Sequence, residues 1–141
     1  MGAEEMKARV RLMYDEMNKG RFEVVDEVLA PDYVLHDPTV PEFHGREEFK
    51  KFAQTCMKGF SDVRSEIQDQ VAEGDKVVTR WKMRSRHTGE LMGIAPTNKE
   101  IEVTGITISR FEGDKIAEEW QDWDSLGMMK ELGVCEMPAA A

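Results

Sequence analysis

The chain has 141 residues, 40% hydrophobic and 33% charged, with a formal net charge of -9 and a pI near 4.9. These values suit a single soluble globular domain over 1–141, long enough to bury a real core. They argue against holding nucleic acid or an anionic membrane by bulk charge, and no apolar run is long enough to span a bilayer.

The opening MGAEEMKARV is too charged for a signal peptide and lacks the Ser or Thr that a myristoylation motif wants at position six. Met6, Val10, Met13, Tyr14 and Met17 then recur at helical spacing, and Asn18-Lys19-Gly20 supplies a stop. A short helix follows with Phe22, Val25, Val28 and Leu29 facing inward, ended by Pro31. Tyr33-Val34-Leu35-His36 reads as extended and runs into Asp37-Pro38. The next helix, about Arg46 to Lys58, carries Phe49, Phe52, Ala53, Cys56 and Met57 on one face, and Gly59 closes it.

After Phe60 the period changes from 3.6 to 2. Val63, Ser65, Ile67, Asp69 and Val71 form one inward set; Val77, Thr79, Trp81, Met83, Ser85 and His87 form another beyond an EGDK turn at 73–76. A loop over 89–99 leads to a strand with Ile101, Val103, Gly105, Thr107, Ser109 and Phe111 on one face and Thr104, Ile106 and Ile108 on the other. A strand apolar on both faces needs cover on both, and a second copy of the chain against Ile106 and Ile108 supplies it, so a homodimer is expected. A second EGDK, 112–115, turns into EEWQDWD, 118–124. Asp124 suits an N-cap and Gly133 the end of a last helix, with a frayed tail over 135–141. Helices followed by a mainly antiparallel sheet make the class α+β. Cys56 and Cys135 have no metal-type spacing; a reduced, cytoplasmic protein follows, with Cys56 in the core and Cys135 in the tail.

Three stretches together resemble one family: RLMYDEMNKGRFEVVDEVLAPDYVLHDP (11–38), HTGELMGIAPTNKEIEVTGITISRFEGDKIAEEW (87–120) and WDSLGMMKELG (123–133). In order and over roughly residues 6 to 134, they are similar to the SnoaL-like polyketide cyclases. The resemblance implies a cone-shaped α+β barrel, its bent sheet wrapped around helices to leave a deep apolar pocket, with Gly105 easing the bend. It implies ring closure by intramolecular aldol condensation, with no metal or cofactor, in which an aspartate on the last long strand takes a proton beside a carbonyl. Aligned on GDKI and ELG, that aspartate falls on Gln121 and the histidine two residues earlier on Glu119. The cyclase glutamine and histidine of the preceding strand fall on Gly105 and Thr107. An amide does not take up a proton near neutrality, so Gln121 cannot be the base.

Two carboxylates remain as candidate bases. In the register that the resemblance implies, Glu119 shares the pocket with Thr107, and burial makes it a better acid or base near neutrality. A plain two-residue Gly113-Asp114 turn instead pairs Ser109 with Glu118 and Thr107 with Trp120, which turns Asp122 inward; one bulge restores the first register. His87 and Gln121 are polar supports, Trp81 and Trp123 pocket walls, and His36 a candidate at the pocket mouth. Asp69 reads as a pocket acid or as the buried partner of an arginine, and His44 as surface. Neither metal-ligand spacing, nor a phosphate loop, nor a GxSxG serine occurs, which leaves no cofactor or metal to expect. The reading is a cofactor-independent cyclase or isomerase on a small hydrophobic carbonyl compound. Its alternatives are a ligand-binding or interaction protein that kept the fold without the chemistry, and a hydrolase or hydroxylase in the same pocket.

Overall fold

The computed structural model describes residues 1–134, so Cys135 and the 135–141 tail lie outside the described residues. The periodic stripes become α1 (Ala3–Asn18), α2 (Val24–Val28) and α3 (Arg46–Met57), with β1 (Leu29–His36) and β2 (Phe43–His44) between the last two. Then come β3 (Phe60–Glu73), β4 (Lys76–His87), β5 (Glu100–Glu112), β6 (Lys115–Trp123) and α4 (Ser125–Glu131). All strands join one sheet in the order β2-β1-β6-β5-β4-β3. The α+β expectation holds, with two additions. The extended stretch before Asp37 is a full strand lying parallel to β6, and the two-residue β2 pairs antiparallel with it. Leu29 opens β1 rather than ending the preceding helix, and Pro31 sits inside β1, where pairing to β6 is interrupted between Leu29 and Val34.

Met6, Val10 and Met13 of α1 pack on Val25, Val28, Leu29, Tyr33 and Ile116 in one core. Fully burying Val25, Val28 and Leu29 contributes roughly 1.5–3 kcal/mol each. A second cluster, Leu91, Ile101, Val103, Met128 and Leu132, lies where the 89–99 loop and α4 cover the far end of the sheet. Asp124 caps α4 by accepting the Gly127 N–H at 2.8 Å, and Gly133 follows its end at φ +80°, as their residue types suggested.

Both EGDK segments make tight turns, with Gly74 at φ +61° and Gly113 at φ +62°. Strand phase is set beyond the turns, by bulges in β3 and β6; β3 shifts once between Ser61 and Arg64 and again nearer the turn. In β3 the register shifts between Ile67 and Asp69, and the inward set continues as Gln70 and Ala72. Asp69 and Val71, expected inward, are therefore exposed, and Asp69 bonds Arg80 Nε at 2.9 Å on the surface. In β6 the turn pairs Glu112 with Lys115, but Phe111 then pairs with Ile116 and Arg110 with Glu118, which leaves Ala117 as the extra residue. Glu119 thus stands opposite Ser109, and Gln121 opposite Thr107. Gly105 meets a close neighbour as well as lying mid-strand. The β4–β5 register runs through it unbroken, and a Cβ there would lie 2.3 Å from the Trp81 ring. It is glycine because an indole lies against its backbone.

Candidate active site

None of the α3 residues is fully buried, although the helix carries a continuous apolar stripe. Phe49, Phe52, Ala53, Cys56 and Met57 face a cavity of about 250 Å³ instead of a packed core. Met13, Tyr14 and Met17 of α1 and Tyr33 and Leu35 of β1 form further wall, and Trp81, Met83, Thr107, Glu119 and Gln121 line it from the sheet. Cys56 is a half-buried free thiol on that wall, its pKa pushed up by burial.

One carboxylate reaches this apolar space. Glu119 is 8% exposed; Tyr33 donates its hydroxyl to Oε1 at 2.6 Å, and Ser109 donates to Oε2. Burial lifts its carboxyl above the ordinary 4.5, while the hydrogen bonds from Ser109 and Tyr33 pull the other way. Tyr33 is pushed well above the usual phenol range by its own burial and then by the adjacent Glu119. Tyr14 shifts in the same direction, through burial first and Glu119 second. The two phenols therefore stay protonated, with Tyr33 as donor to one carboxylate of raised proton affinity and Tyr14 near it.

Beside Glu119 runs a directed chain of hydrogen bonds. Trp81 Nε1 donates to Thr107 Oγ1 at 3.0 Å, and Thr107 donates to Gln121 Oε1 at 3.0 Å. Gln121 Nε2 donates to Asp37 Oδ2 at 3.0 Å. The other Asp37 oxygen accepts the Thr39 N–H at 2.8 Å and its hydroxyl at 2.7 Å, and Trp123 Nε1 donates to Thr39 Oγ1 at 3.2 Å. Among the described residues, no group of three or more His, Cys, Asp or Glu side chains gathers in a way that could hold a metal ion.

A sequence profile of the SnoaL-like polyketide cyclases matches residues 8–132. The chain belongs to the SnoaL-like polyketide cyclase family. Aklanonic acid methyl ester cyclase AcmA of Streptomyces galilaeus is 31% identical over 134 residues, covering 92% of this chain and 91% of the relative. Nogalonic acid methyl ester cyclase of Streptomyces nogalater is 29% identical, covering 86% of this chain and 92% of that one. The crystal structure of IdmH from Streptomyces antibioticus superposes with a TM-score of 0.81 at 33% identity, covering 92% of this chain and 99% of that one. Membership supports a cyclase- or isomerase-type function and a small polyketide-like substrate.

In this SnoaL-like chain Glu119, Gln121, Thr107 and Trp81 come together on the cavity wall, while four other candidates do not. Asp122 stands opposite Ile106 on the outer face of the sheet, because the Ala117 bulge sets the phase. His36 is also on the outer face: its nitrogens lie 2.7 Å from Glu42 and from Glu118, and its ring stacks on Trp120. Glu118 first, and Glu42 with it, hold its pKa above the ordinary 6.5. His87 is fully buried under the 89–99 loop, where Nδ1 accepts the Thr97 N–H at 3.2 Å and Nε2 has no partner among the described residues. Trp123 packs against the second core cluster rather than lining the cavity. Sequence reasoning missed Tyr33, Ser109 and Asp37 as site residues. Tyr33, Leu35 and Asp37 share one parity along an extended segment, and that signal was readable.

Proposed function

We propose that this protein is a cofactor-independent cyclase or isomerase in which Glu119 takes a proton from the carbon beside a carbonyl of a small, mostly apolar, polyketide-like substrate. The supporting observation is the single buried carboxylate of raised proton affinity on the wall of an otherwise apolar cavity, held by two hydroxyl donors. A carboxylate in such a wall is a stronger base than one in water. The O–H groups of Tyr33 and Ser109 fix its direction while its charge is present. Gln121 and Thr107 supply polar contacts for the substrate oxygens, and the proton returns from Glu119 once the new bond or the shifted double bond is set. Aklanonic and nogalonic acid methyl esters, the compounds named for two relatives, are the first substrates to try.

The Glu119→Gln variant keeps shape and hydrogen bonding and removes the basic oxygen. Turnover of either ester should fall by about 10²–10⁴-fold with binding retained. Unchanged turnover in that variant removes Glu119 from the chemistry. Binding by the wild type without any turnover would favour a ligand-binding role, a reading that Gln121 at the aligned cyclase base position keeps in play. The same proposal takes the chain as one domain in the reducing cytoplasm, where the Cys56 thiol stays free, and as a homodimer through the sheet face bearing Ile106 and Ile108.

A further inference from the structure

Gln121 has the shape of a residue that can sit either way round, and its neighbours decide which. An amide's oxygen and NH₂ ends are nearly the same size, so direction depends on which partner can only accept or only donate. Thr107 does not decide it: its hydroxyl can donate or accept, and the Trp81 N–H occupies only one of its lone pairs. Asp37 does decide it. An ionised carboxylate only accepts, and its Oδ1 is already engaged by the Thr39 N–H and hydroxyl, which leaves Oδ2 for Gln121. Asp37 is 9% exposed and does not line the cavity, whereas Gln121 does.

We propose that Asp37 is a positioning residue that takes one Gln121 N–H and thereby turns the other toward the cavity as a fixed donor to a ligand oxygen. This rests on the function proposed above, in which that oxygen belongs to the carbonyl beside the carbon deprotonated by Glu119. As the proton leaves, negative charge grows on this oxygen, and a donor already aimed at it stabilises the enolate without reorganising. The carboxylate behind the amide contributes direction, because it only accepts and so holds the NH₂ end, not the carbonyl oxygen, on the Asp37 side. Gln121 is then an electrophilic donor at the position aligned with the cyclase base, with Glu119, two residues earlier, as the base.

The test reads Gln121 directly, through its side-chain NH₂ protons in ¹⁵N-labelled protein, assigned by their loss in Gln121→Met. In the wild type one proton should lie well downfield, bonded to Asp37, and the other should shift on adding aklanonic acid methyl ester. Asp37→Asn presents an NH₂ where an acceptor stood, so Gln121 should turn over and the downfield proton should disappear, with kcat for that ester falling by about 10²-fold and KM little changed. In Asp37→Asn/Gln121→Glu the amide introduced at position 37 regains an acceptor, so the melting temperature should recover while kcat stays low. A purely structural role for Asp37 predicts that kcat recovers too, and that recovery overturns the proposal. Unchanged Gln121 protons in Asp37→Asn overturn it as well, as does a second proton that ignores the bound ester. If the wild type turns over neither ester, the assignment of Glu119 as base falls, while the amide spectra still decide whether Asp37 sets the direction of Gln121.

Discussion

Glu119 carries a pH signature that separates it from the surface carboxylates. Its folded pKa lies above the ordinary 4.5 because burial penalises the charge more than Ser109 and Tyr33 relieve it. Below pH 4.5 both folded and unfolded chains hold the proton and the group costs no stability. As pH rises, the unfolded chain ionises first, so stability falls until the folded carboxyl ionises too. Glu119→Gln removes this slope. Urea titrations from about pH 4 to about pH 8 should show wild type and variant diverging with rising pH, the variant becoming relatively more stable; parallel curves would deny that Glu119 is desolvated. At this same scale the sequence was readable for Glu119, Thr107 and Gln121 through the resemblance, and for Trp81 through the alternation of its strand. For Tyr33 and Asp37 the shared parity was readable but their partners were not, because those lie 86 and 84 positions away on β6.

At the scale of elements, the opposing phases of β6 differ by one residue. Local turn chemistry favours pairing Ser109 with Glu118, and the Ala117 bulge overrides it because the alternative would bury Trp120 and Asp122 and expel Glu119. Deleting Ala117 removes the extra residue, so the plain turn itself then pairs Ser109 with Glu119 and the inward face is kept without a bulge. The deletion should cost about 1 kcal/mol and leave ligand binding intact. Loss of binding in a folded deletion variant would show that Glu119 needs more than this pairing to face the cavity. The β3 bulge is the same device, and it moved Asp69 from the expected inner face to a surface pair with Arg80. Helical stripes were legible because one face of a 3.6-residue repeat must be covered. That the α3 stripe faces a cavity was not, since apolar periodicity is the same whether the helix meets a core or a ligand.

At the scale of the whole molecule, the outer face of the sheet remains to be covered. Ile106 is 48% exposed there, with Ile108 and Trp120 half-buried nearby. A second copy on this face would bring each His36, Glu118 and Trp120 cluster near the joint. Sedimentation should therefore report two chains of 16.1 kDa, and Ile106→Glu should shift the mass to one. A wild-type mass of one chain at micromolar concentration would end the dimer proposal.

The sequence by itself determined the class, the apolar stripes, the turns, the α4 cap and the family, because each rests on local stereochemistry or on motifs carried in order along the chain. Only the tertiary structure decided which face of EEWQDWD looks inward. Strand phase is a property of pairing between segments, and one extra residue in a ladder reverses every side chain beyond it. The same dependence on pairing placed Tyr33 against Glu119 and Asp37 against Gln121, contacts that exist only because β1 closes the sheet alongside β6.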